Sequence, residues 1–145
     1  MRKTLAAIII ATVLSGCQTA DETLTTNSTP IAVTGASASA IAGDMASRLA
    51  EQVGPAGTTI LKMDKDTSEY AAALEAALKG WGYTVIADGK VAKDQKPVEI
   101  AWSIDSFDGQ VLARISTPGI ALGRAYTATS AGATPASPLS IMQRN

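Results

Sequence analysis

One thiol and no imidazole make up the soft, near-neutral chemistry of this 145-residue chain, in which Cys17 is the single cysteine and histidine is absent. Without histidine the chain lacks the commonest general base, the commonest metal ligand and the usual switch near neutral pH. A lone cysteine forms no disulfide within the chain. Carboxylates remain, and they are scattered. Asp64 and Asp66 lie two apart, but the EF-hand loop pattern is missing and helix capping explains Asp66. Asp105 and Asp108 bracket a hairpin, where turn chemistry suffices. A hydrolase built on Glu99, Asp105 or Asp108 is the catalytic alternative. No G-x-S-x-G, G-x-x-x-x-G-K-[ST] or G-x-G-x-x-G pattern accompanies those acids. The chain reads as a protein that is not an enzyme and needs neither metal nor dissociable cofactor.

Cys17 has the most telling position. Arg2 and Lys3 precede an apolar run from Leu5 to Leu14, and the small pair Ser15-Gly16 leads into the cysteine. This is the layout of an export signal. A transmembrane helix needs roughly 20 apolar residues, whereas this run is cut by Ser15-Gly16 and followed by Gln18, Asp21 and Glu22. A buried core cysteine is the other alternative, but nothing downstream packs an apolar element against it. Leu14-Ser15-Gly16-Cys17 resembles the lipobox of bacterial lipoproteins. That resemblance implies lipid attachment at Cys17, cleavage before it, and residues 1–16 as the signal peptide. Gln18 stands where lipoproteins retained in the inner membrane typically carry Asp. The same resemblance therefore points to the inner leaflet of the outer membrane, with the protein body in the periplasm. Two or three acyl chains would hold firmly, since each buried methylene contributes roughly 0.8 kcal/mol.

Loss of residues 1–16 leaves 129 residues with ten basic and thirteen acidic side chains, a net charge of −3. A nucleic-acid surface would need a basic excess, and six aromatic residues offer little for base stacking. Lys90, Lys93 and Lys96 are balanced by Asp88 and Asp94 and read as a solvated loop. No direct nucleic-acid contact is expected.

The elements come in order. Residues 17–36 are rich in Thr, Ser and small residues and read as an acylated flexible tether with a span of about 25 Å. Ile41, Met45, Leu49 and Val53 recur every four residues and predict a helix ended by Gly54-Pro55. Thr58 to Met63 reads as a strand. Asp66 and Glu69 form a D-x-x-E capping box for a second helix whose apolar stripe is Tyr70, Leu74, Leu78 and Trp81. Tyr83 to Ala87 follows as a strand. From Val98 the period is two, and Asp108-Gly109 marks a hairpin pairing Ile104 with Ala113 and Trp102 with Ile115. Pro118-Gly119 suits a type II turn into Ile120–Thr129. The register of that strand is open, because Arg124 falls between Leu122 and Tyr126 on one face. Residues 130–145 read as a Pro/Ala/Ser-rich flexible tail carrying Leu139, Ile141 and Met142 as a docking motif. The expected domain, residues 37–129, is α+β. Two helices pack on one face of a mainly antiparallel sheet of four or five strands, in the order α-β-α-β-β-β-β.

Three stretches together resemble the TrbH family of conjugal transfer lipoproteins: Leu14 to Cys17, Tyr70 to Val85 with its Gly80-Trp81-Gly82-Tyr83 turn, and above all Leu122-Gly123-Arg124-Ala125-Tyr126 followed by Ala133 to Ser140. The resemblance implies a structural component of a conjugative DNA transfer channel (type IV secretion, mating-pair formation). Such a component would be held to the membrane by acyl chains and would contact other channel subunits, as a homo-oligomer in a ring assembly. The alternative is an outer-membrane lipoprotein that binds and regulates a cell-wall enzyme or glycan.

Overall fold

The computed structural model describes residue 33 and residues 35–145. The expected signal peptide and lipobox and most of the expected tether lie outside the described residues.

The first helix, α1 (Gly35–Ala50), buries Ala38, Ile41, Ala42, Met45, Ala46 and Leu49, a stripe set by apolar residues three and four apart. It starts two residues earlier than expected. Val33, ahead of it, is already buried in the core, so the tether reading fails at least for its last residues.

A short strand, β1 (Ile60–Met63), leads to α2 (Glu69–Gly80) and β2 (Thr84–Ile86). Asp66 does not cap α2. Ser68 does, its hydroxyl accepting the Ala71 amide at 3.2 Å, while the Asp66 carboxylate accepts the amide of Ser68 at 2.7 Å. Capping by Ser is as good as by Asp, and a bond from residue i to i+2 is the ordinary Asx turn. Trp81, expected in the core, is the C-cap residue of α2 and is 53% exposed.

The β3 (Val98–Phe107) and β4 (Gln110–Ser116) hairpin has the expected register, Trp102 opposite Ile115 and Ile104 opposite Ala113. Its two turn residues, Asp108 and Gly109, both have positive φ, as a type I′ turn requires. The second turn is not type II, because Gly119 avoids the left-handed region. Thr117 closes it instead, its hydroxyl accepting the amides of Gly119 and Ile120.

The long strand β5 (Ile120–Thr129) is followed by two more, β6 (Gly132–Pro135) and β7 (Ser140–Gln143). The expected flexible tail is therefore part of the sheet. Both strands pair antiparallel with the same edge of β5, β6 along Tyr126 to Thr129 and β7 along Ile120 to Gly123. Three steps of β5, from Tyr126 to Gly123, face five steps of the terminal segment, from Pro135 to Ser140. The two extra residues form a bulge holding both prolines' neighbours, Ala136 and Ser137. Prolines at a sheet edge cost no ladder bond when their nitrogen faces outward, which is why a Pro-rich sequence can still be strand.

The class is α+β, with two helices on a seven-stranded mixed sheet in the order β2-β1-β3-β4-β5-β6, β7 sharing β5 with β6. Parallel pairing of β1 with β2 and with β3 makes the sheet mixed. Helix α1 lies over β4, β5 and β6, and α2 packs against α1 and β2. The core lies between these layers: Ile41, Met45 and Leu49 from α1, Leu74 and Leu78 from α2, and Leu61, Trp102, Ile115, Leu122 and Tyr126 from the strands.

Candidate functional site: a carboxylate clamp on the terminal strands

Arg124 faces inward from β5, where a charge is costly unless it is paired and hydrogen-bonded. Its partner is Asp44 of α1, eighty residues earlier. The guanidinium Nη1 donates to Asp44 Oδ2 at 3.0 Å, and the Tyr126 hydroxyl donates to the same oxygen at 2.7 Å. On its other side Arg124 Nε donates to the Ser137 carbonyl at 3.0 Å, inside the bulge. The Ser137 hydroxyl accepts the Ala125 amide at 2.9 Å and donates to the Pro138 carbonyl. One guanidinium thus ties the helix layer, β5 and the β6–β7 strap together. Arg48, one turn after Asp44, lies 3.7 Å from Asp44 Oδ1 and binds Glu51 at 2.9 Å.

This cluster holds; it has no geometry for reacting. Burial, then the hydrogen bond to Asp44 and the negative charge of Asp44, push the Tyr126 hydroxyl far above its ordinary pKa, against a smaller opposing effect of Arg124. A hydroxyl held protonated in this way is a hydrogen-bond donor and no nucleophile. Tyr70 is likewise pushed up by burial alone. Its ring lies 5.1 Å from that of Trp102, and neither its hydroxyl nor the Trp102 indole nitrogen has a hydrogen-bond partner among the described residues.

The sequence-derived acids do not converge. Glu99 pairs with Lys62 across β1 and β3 at 3.2 Å. Asp105 stands mid-strand and Asp108 at the hairpin tip. Asp64, Asp66, Glu75 and Asp88 line a 240 Å³ recess beyond the ends of β1 and β2. Among the described residues no three His, Cys, Asp or Glu side chains lie close enough to share a metal ion.

Cys17, Leu14, Ser15 and Gly16 lie outside the described residues. The three residues read as a docking motif do not act alike. Leu139 packs partly buried against the core, which removes it from any exposed motif. Ile141 and Met142, in β7, are exposed. On the uncovered face of the sheet, Leu112, Arg114, Ala121, Gly123, Pro138 and Met142 line a shallow groove of about 370 Å³. The clamp itself was missed in the sequence. Asp44 reads as one more polar residue on the outer sector of α1, yet Arg124 at an inward strand position was the signal that a buried acid had to exist.

In class this is an α+β domain whose best-built polar cluster braces its own terminal strands. Residues 19–145 match the family described as "Conjugal transfer protein TrbH". A relative from Sinorhizobium fredii (strain NBRC 101917 / NGR234), described as "Probable conjugal transfer protein TrbH", is 69% identical over 148 residues covering all of both chains. No solved structure matches. The chain belongs to the TrbH family of conjugal transfer proteins, and its role lies in conjugative transfer.

Proposed function

We propose that this protein is a lipid-anchored structural subunit of a conjugative DNA transfer channel, without enzymatic activity, acting through contacts with other channel subunits. The observation that carries the reading is the family match across residues 19–145. Acylation at Cys17, read from the lipobox resemblance, would fix the chain to the inner leaflet of the outer membrane and hold the domain in the periplasm. The natural contact is the free outer edge of β7 with Ile141 and Met142, since an edge strand offers unpaired backbone groups and these two side chains remain exposed.

Two measurements in donor cells test this. Cys17→Ser should leave the membrane fraction and lower transfer frequency at least tenfold; unchanged fractionation and transfer would refute the anchor. Ile141→Asp with Met142→Asp should reduce co-purification with channel subunits while the domain stays folded. Unchanged co-purification would remove β7 as the contact. Deleting residues 130–145 is no test, because it strips β6 and β7 from the sheet.

A further inference from the structure

Two strands share one edge of β5, and the fold holds them unequally. β6 lies against both β5 and α1, whereas β7 lies against β5 and no other described helix or strand. Ile141 stands opposite the buried Leu122, on the side of the sheet that carries the helices. It is nonetheless 44% exposed, since α1 does not reach β7. Met142, on the other face, is 65% exposed, and Ser140 and Gln143 are exposed as well. β7 buries little side chain of its own, so its backbone ladder carries the attachment. The Arg144 amide donates to the Gly119 carbonyl at 2.8 Å. Antiparallel alternation then makes Ala121 with Met142, and Gly123 with Ser140, the bonded pairs.

The attachment changes character at Ser137. Its carbonyl accepts Arg124 Nε at 3.0 Å, and its hydroxyl accepts the Ala125 amide at 2.9 Å. Arg124 is held in turn by Asp44 of α1. One residue earlier, the Ala136 amide donates to the Ala125 carbonyl at 2.8 Å. The strap up to Ser137 is thus tied both to β5 and to the helix layer. Beyond it come Pro138, which has no amide to give to a ladder, and Leu139, partly buried against the core.

We propose that β7 is a latch. It leaves β5 as a unit about the Ser137–Pro138 junction, Leu139 coming out with it, while β6 and the rest of the domain stay folded. The opening bares the backbone groups of Ala121 and Gly123. Such an unpaired edge is one to which an extended segment of another chain adds as a strand. It also uncovers Leu122, opposite which an aliphatic side chain of that segment would take the place of Ile141. Arg124 sets where the opening stops. Its hold on Ser137 keeps β6 from following, so the edge is offered without loss of the contact between β6 and α1. The latch belongs to the domain alone, and it holds or fails whether or not the outer edge of β7 is the channel contact.

Amide hydrogen exchange of the folded full chain in detergent, corrected for intrinsic rates, tests the latch. Ala121, Gly123, Ser140, Met142 and Arg144 should exchange as one set. That set should run at least about a hundredfold faster than Thr127 and Thr134, which bond each other across β5 and β6. Leu139→Ala should speed the first set about tenfold by removing partly buried apolar surface, and should leave the second unchanged. Arg124→Met should close the gap between the sets, because the opening then runs on into β6. Equal protection of the two sets in the parent overturns the proposal. So does a Leu139→Ala effect that falls on both sets alike or on neither. A gap undiminished in Arg124→Met overturns the hinge at Ser137.

Discussion

Asp44→Asn removes one charge and almost no volume from the clamp, and its cost follows from the geometry. The change leaves the Arg124 guanidinium, committed to the Ser137 carbonyl on one side, with no counter-charge on the other. Breaking a fully buried pair by removing one partner costs about 3–5 kcal/mol. Here the side chains are 17% exposed for Arg124 and 23% for Asp44, so water screens part of the loss. The Tyr126 hydroxyl keeps an acceptor in the amide oxygen, and the 3.7 Å contact with the half-exposed Arg48 adds at most a few tenths. The expected destabilisation is about 2–3 kcal/mol. With a urea slope of about 1.5 kcal/mol per molar, the unfolding midpoint should fall by about 1.3–2 M at unchanged slope. Trp102, buried against Tyr70, supplies the fluorescence signal. Arg124→Met should cost a similar amount, and the double variant less than the sum, with a coupling of about 1–2 kcal/mol. Amide exchange should quicken first at Ala136 and Arg144, which bond across to Ala125 and Gly119. If Asp44→Asn costs no more than Glu51→Gln on the exposed side of the same helix, the cluster is decorative and the reasoning is wrong.

Alkaline pH offers a second handle. Tyr70 and Tyr126 hold their protons in the folded state well above the ordinary value of 10.0. Stability should be complete below pH 10 and fall above it by about 1.4 kcal/mol per pH unit per tyrosine, as the unfolded chain ionises first; urea midpoints at pH 9 and 11 measure this. Tyr70→Phe removes a buried hydroxyl with no partner, so it should be neutral or stabilising by up to about 1 kcal/mol and should lessen the alkaline slope. A loss above 1 kcal/mol in its thermal melt would mean that the hydroxyl has a partner after all. Thr117→Val deletes the acceptor of two turn amides and should cost about 1–3 kcal/mol by urea unfolding, whereas Thr117→Ser should recover most of it.

How much of this was legible depended on the range of the forces involved. The hairpin register could be read because Asp108-Gly109 and the alternation from Val98 to Ile104 are local and agree with each other. Both helices were legible from their apolar stripes. The strap was not, because β6 and β7 are four residues each with Pro135 and Pro138 between them, too short and too interrupted to show a period, and they become strands only when β5 offers its edge. Trp81 misled because its backbone does continue the helix, its amide still reaching the Ala77 carbonyl, yet at the C-cap of α2 the indole is left 53% exposed. Asp44 was hidden for a different reason. Its role is fixed by Arg124 and Tyr126 on a strand that periodicity cannot bring near it. The Leu122-Gly123-Arg124-Ala125-Tyr126 stretch that carried the family resemblance turns out to hold two of the clamp's three centres.

Because α1 (Gly35–Ala50) rests on β6 (Gly132–Pro135), the core under that helix cannot close until β6 has been made. Contacts of such long sequence separation slow folding, and a ribosome still at work holds the final strand back altogether. On the export route proposed above, that lateness would keep the molecule pliable in transit and give it rigidity only on arrival.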